Sequence, residues 1–148
     1  MITKRTDSSN IDFQNLVKLL DADLAVRDGE DHEFYHQFNS INMLKNCVIV
    51  YSDDTAVGCG AFKPFSEDTV EIKRMYTDPE RRGKGFASKI LNELEIWAKE
   101  ERYNRCVLET GIKQPEAIAL YEKSGYKRIP NYGQYIGIDN SVCYEKIL

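Results

Sequence analysis

The stretch that most constrains this chain is Asp78-Pro79-Glu80-Arg81-Arg82-Gly83-Lys84-Gly85-Phe86-Ala87. Before it runs a strand-like segment, Thr69–Thr77, halted by Asp78-Pro79. After it, Ala87, Ile90, Leu91, Leu94 and Trp97 recur on one face at helical spacing. The loop therefore joins the end of a strand to the start of a helix. Glycines let backbone N–H groups converge on an anion, and the helix N-terminus adds a favourable dipole. Arg81, Arg82 and Lys84 concentrate positive charge in a chain of formal net charge −4. A pyrophosphate is the guest such a loop suits. The plain alternative is a turn with solvated charges. A dinucleotide-binding loop is the other competitor, but Ala87 and Ser88 follow Gly85, so the G-x-G-x-x-G spacing is absent. The early βαβ unit of that fold is missing as well.

The rest of the chain supplies a frame for this loop. Residues 2–6 read as a first strand. Phe13, Leu16, Val17, Leu20 and Leu24 then mark a helix behind the capping candidates Ser9 and Asn10. A turn at Asp28-Gly29-Glu30-Asp31 leads to a second short helix carrying Phe34, Tyr35, Phe38 and Ile41. Strands follow at 47–52 and 57–62 around the hairpin tip Asp53-Asp54, with Thr69–Thr77 as the third. Beyond the loop and its helix come a strand at 105–110, a helix at 114–124 ending on the C-cap candidate Gly125, and strands at 126–129 and 142–147. The expected order is β-α-α-β-β-β-α-β-α-β-β, a mixed α/β layer structure. Its 148 residues suit a single domain over 1–148.

Two motifs in this frame resemble those of the GNAT family of acetyl-CoA-dependent N-acetyltransferases. Arg82-x-x-Gly85-x-Ala87 is similar to that family's pyrophosphate signature, R/Q-x-x-G-x-G/A. Ala117-Ile118-Ala119-Leu120-Tyr121-Glu122-Lys123-Ser124-Gly125-Tyr126 is similar to its second motif, A-x-x-L-Y-x-x-x-G-F/Y. The resemblance covers about residues 45–130 well and the flanking segments by element order. It implies a mixed, mostly antiparallel sheet splayed between its fourth and fifth strands, with helices on both faces. It implies acetyl-CoA as cosubstrate, lying in that splay, and no metal. The Met75 N–H would hold the acetyl carbonyl, Tyr76 and Thr77 the pantetheine arm, and Arg81, Arg82, Gly83, Lys84, Gly85, Phe86 and Ala87 the pyrophosphate. Gln114 stands where family members often carry Asn, which retains an amide for a cofactor contact. Tyr121 falls where the family places a general acid near the CoA sulfur. Glu71 matches a position used by some members for a general base, and alternation along the strand puts it on one face with Lys73 and Met75. Glu109, on the opposite strand, is the rival base, and a water chain is a third route.

Composition bounds the remaining questions. The negative net charge implies no general affinity for nucleic acid or anionic membrane, and no stretch approaches a membrane span. The N-terminus lacks the apolar core of a signal peptide. Cys47, Cys59, Cys106 and Cys143 form no CxxC pair and sit in strand-like runs, which fits buried thiols in a reducing, cytoplasmic setting. His32 and His36 lack a third ligand at useful spacing, so hydrogen-bonded or solvated imidazoles are expected. The first helices and last hairpin, with Arg27, Tyr35, Tyr132, Tyr135, Asp139 and Tyr144, would shape the acceptor pocket. The Tyr/Gly-rich stretch from Asn131 to Gly137 reads as a mobile rim. Lys73 and Arg74 beside the chemistry suit an acceptor bearing a carboxylate. The expected function is acetyl transfer to a primary amine such as an amino acid or amine metabolite, with a homodimer compatible. A peptide acetyltransferase and a non-catalytic acyl-CoA-binding module are the alternatives.

Overall fold

The computed structural model describes residues 1–28 and 44–148; the expected second helix and both histidines lie outside the described residues. The elements are β1 (Ile2–Thr6), α1 (Ile11–Asp28), β2 (Asn46–Ser52), β3 (Thr55–Pro64), β4 (Thr69–Thr77), α2 (Phe86–Glu100), β5 (Arg105–Gly111), α3 (Pro115–Lys123), β6 (Lys127–Ile129) and β7 (Ser141–Ile147). Asn10 caps α1, its side-chain oxygen accepting from the Phe13 N–H at 3.1 Å, while Ser9 bonds Asp7 instead. Asp53 and Asp54 take φ of 49° and 64°, the left-handed pair that a two-residue hairpin turn requires.

One seven-stranded sheet runs β1-β2-β3-β4-β5-β7-β6. Its neighbours are antiparallel except β4 and β5, which pair in parallel from Thr69 with Arg105 to Glu71 with Val107 and then part. The expected splay between the fourth and fifth strands is there. Helices cover both faces. α1 places Phe13, Leu16, Val17 and Leu20 on Cys47, Ile49, Cys59 and Ala61. On the other face α2 buries Ile90, Leu91, Leu94 and Ala98 against Val48, Val50, Phe62 and Ile72. Alternation within β2 explains the division, since Cys47 and Ile49 face α1 while Val48 and Val50 face α2.

Strand β4 departs from that alternation. Cys59 pairs with Tyr76 and Ala61 with Lys73, so Gly60 alone stands opposite Arg74 and Met75. This is a β-bulge, with Arg74 in the left-handed region at φ 59°. The extra residue flips the parity. Met75 packs with Ile72 on the α2 face, and Tyr76 joins the α1 face. The expectation that Met75 shares a face with Glu71 and Lys73 is therefore corrected.

Candidate active site

The splay opens into a cavity of about 420 Å³. Its phosphate end is built by the loop after β4. Asp78 starts a single 3-10 turn, Pro79–Arg81, its carboxylate accepting from the Glu80 N–H at 3.0 Å. Gly83 and Gly85 take φ of 77° and 86°, which a side chain would strain. Gly85 is the N-cap of α2 and brings no side-chain acceptor, so the first-turn N–H groups meet no side-chain cap. Arg81, Arg82, Gly83, Gly85 and Ala87 line the cavity, and so does Phe86, which also anchors α2 in the core. Lys84 is exposed and lies outside that wall.

Arg82 already has partners. Its Nε donates to the Thr77 carbonyl at 3.2 Å, and its guanidinium lies 3.9 Å from Asp23 and 3.8 Å from Glu116. Arg27 pairs with the same two carboxylates, at 3.2 Å from Asp23 and in contact with Glu116. This network ties α1 to α3 across the mouth of the cavity. Nothing in the sequence pattern marks Asp23 or Glu116, which look like ordinary helix-surface acids.

Met75, Tyr76, Thr77 and Gln114 line the middle of the cavity, together with Tyr121. Tyr121 is buried, packed edge-on to Tyr126 with centroids 5.8 Å apart. Burial, then the negative charge of Glu109, pushes its phenol up, so the hydroxyl stays protonated.

At the far end stand Glu71, Lys73, Glu109 and Tyr135. Glu71 is buried, and its Oε2 accepts from the Tyr132 hydroxyl at 2.6 Å. Lys63 and Lys73 lie 3.7 and 4.0 Å from Oε1. Burial lowers the Lys73 amine, opposed by Glu71 and Glu109. Arg74, by contrast, turns to α1 and donates to Asp21 at 3.0 Å. Both expected cations line the cavity, Arg74 with its Nη1 engaged by Asp21.

The rim is bridged by one side chain. Asn131 Nδ2 donates to the carbonyls of Tyr135, Ile138 and Ser141 at 3.0–3.1 Å, closing the loop. Tyr135 is buried at 2% exposure and Asp139 is exposed. Tyr144 belongs elsewhere: it packs in the α2 core and donates to Glu122 at 3.0 Å. The four thiols are free and buried, and burial pushes Cys143 up to about 11. Among the described residues no metal-binding group is assembled and no helix is long and apolar enough to cross a membrane.

The chain matches the acetyltransferase (GNAT) family profile over residues 13–126. It is 37% identical over 102 residues to an IAA acetyltransferase from Azospirillum brasilense, covering 68% of this chain and 67% of that protein. Of N-acetyltransferases from Xenopus tropicalis and Escherichia coli it spans about half the length, 55% and 50%. A candidate acyl-CoA N-acyltransferase from Klebsiella pneumoniae superposes with a TM-score of 0.83 at 30% identity, covering 99% of this chain and 97% of that one. An aminoglycoside 6'-N-acetyltransferase complexed with coenzyme A shares the fold at a TM-score of 0.73 and 18% identity, covering 99% and 97%. The chain belongs to the GNAT family of acetyltransferases.

Proposed function

We propose that the protein transfers the acetyl group of acetyl-CoA to the primary amine of a small molecule, by direct attack in a ternary complex. The observation that carries this reading is one continuous cavity, running from the α2 N-terminus and its two glycines to the buried carboxylate of Glu71. The phosphate end fits the cosubstrate: Gly83 and Gly85 leave open space where a Cβ would stand, and Arg81 and Arg82 supply charge. The bound thioester supplies the acyl carbon and a thiolate leaving group. Met75 stands at the bulge and lines the cavity, and in this reading its N–H stabilises the oxyanion.

An alkylamine with a pKa of about 10.4 must lose a proton before it attacks. Glu71 is the proton acceptor in this reading, and Tyr121 returns a proton to the thiolate. Lys73, set between Glu71 and Glu109, supports an acceptor that carries a carboxylate beside its amine, as an amino acid does. The free, buried thiols support a cytoplasmic setting.

The test is a panel of α-amino acids, diamines, aminoglycosides and short peptides, with released CoA read by a thiol reagent. Turnover of small amines is expected. Turnover of peptides alone would move the function to protein acetylation. Acetyl-CoA binding without any turnover would leave a binding module. Within the panel, Glu71→Gln should cost most with acceptors of high pKa and least with those that arrive neutral. Equal losses for both would assign Glu71 to binding.

A further inference from the structure

We propose that Tyr132 is a positioning residue for Glu71: its hydroxyl holds one carboxylate oxygen so that the other faces the acceptor amine. This rests on the reading of Glu71 as the base. The two oxygens of Glu71 have different surroundings. Oε2 accepts from Tyr132 at 2.6 Å, a length typical of a hydrogen bond to a charged oxygen. Both nearby ammonium groups stand off Oε1, Lys63 at 3.7 Å and Lys73 at 4.0 Å. With Oε2 taken by Tyr132, Oε1, 4.0 Å from Lys73 of the cavity wall, is the oxygen left for the acceptor amine in this inference.

Tyr132 itself lies behind this carboxylate. Among the described residues the cavity wall includes Glu71, Lys73 and Tyr135 but not Tyr132. The ring is wedged edge-on between Phe65, with centroids 5.0 Å apart, and Tyr135, at 5.9 Å. The loop beneath it is closed by the three bonds of Asn131. A phenol so placed acts on the substrate through Glu71. Burial, then the charge of Glu71, raises the Tyr132 phenol, which keeps it a donor across the working pH range. The groups facing Glu71 are Lys63 from β3, Lys73 from β4, Tyr132 and Tyr135 from the rim, Cys143 from β7 and, beyond Lys73, Glu109 from β5. During the reaction the amine proton passes to Oε1 while Oε2 stays fixed by Tyr132. The bond therefore fixes the orientation of the base while the proton moves.

Tyr132→Phe keeps the ring and removes the donor. With the fastest amine of the panel, Tyr132→Phe should lower kcat several-fold with KM nearly unchanged, the cost of one hydrogen bond to a charge. In the Glu71→Gln background the same change should cost nothing more. Acetyl-CoA affinity by calorimetry should stay at the wild-type value, which a misfolded variant would not show. An unchanged kcat in Tyr132→Phe, or an equal loss in both backgrounds, overturns the inference while leaving Glu71 as base. Full turnover by Glu71→Gln alone overturns the base reading and this inference with it.

Discussion

At the scale of single residues, burial sets the chemistry of Tyr121 in the cavity. Tyr121 packs against Tyr126 and Tyr144 and lines the cavity. Its raised pKa makes it a weaker acid than a free phenol but a permanently protonated one. Tyr121→Phe keeps the edge-on packing, so its fold and its acetyl-CoA affinity should be those of the wild type. If the phenol protonates the departing thiolate, kcat should fall by about 10²-fold or more. A stopped-flow record of CoA release with unchanged kcat would reduce the tyrosine to a packing role. Tyr121 was legible because it falls inside a motif. Tyr132 was legible only as one of the pocket-shaping residues, because a tyrosine two residues after a proline carries no sign of the carboxylate it will meet.

Among elements, β4 governs the site, and a glycine on its neighbour permits its shape. A Cβ on Gly60 would sit 2.5 Å from Met75 Sδ, 2.8 Å from Ile90 Cγ2 and 3.0 Å from Leu94 Cδ1. Gly60→Ala must therefore displace Met75 or lift α2 from the sheet. Overpacking of this kind costs about 1–3 kcal/mol. Thermal unfolding should show that loss, and acetyl transfer should fall even at temperatures where the variant is fully folded, because Met75 moves. Wild-type activity in a folded Gly60→Ala protein would dissociate the bulge from acyl placement. The strands and helices themselves were readable, since period-two and period-3.6 apolar patterns report which faces are buried. The bulge was not. Arg74 in the left-handed region has no signature, and parity counted along β4 fails at the one residue where the register slips.

For the whole molecule, the two cores enclose Cys47, Cys59 and Cys106, and a smaller cluster with Tyr135 encloses Cys143. Burial pushes Cys47 and Cys106 up to about 12 and Cys143 up to about 11, and Cys59 higher still. Alkylation needs the thiolate, which is scarce at pH 8 for such groups. Native protein should thus react with iodoacetamide at the rate of unfolding, whereas protein in denaturant should take up four equivalents at once. Mass spectrometry that found one cysteine labelled rapidly in the native state would expose an opening in the core that these contacts do not contain.

The charge network over the cavity mouth has a consequence for how the cosubstrate is received. Asp23 and Glu116 stand 3.9 and 3.8 Å from the Arg82 guanidinium. If Arg82 holds the pyrophosphate as proposed, these carboxylates compete with it for the same cation. Glu116 is 44% exposed, so its hold on Arg82 is screened and worth at most about 1 kcal/mol. Glu116→Gln should accordingly tighten acetyl-CoA binding, by no more than about fivefold. Calorimetry at low salt would display the gain most clearly, and weaker binding there would mean that Glu116 recruits Arg82 and does not rival its ligand.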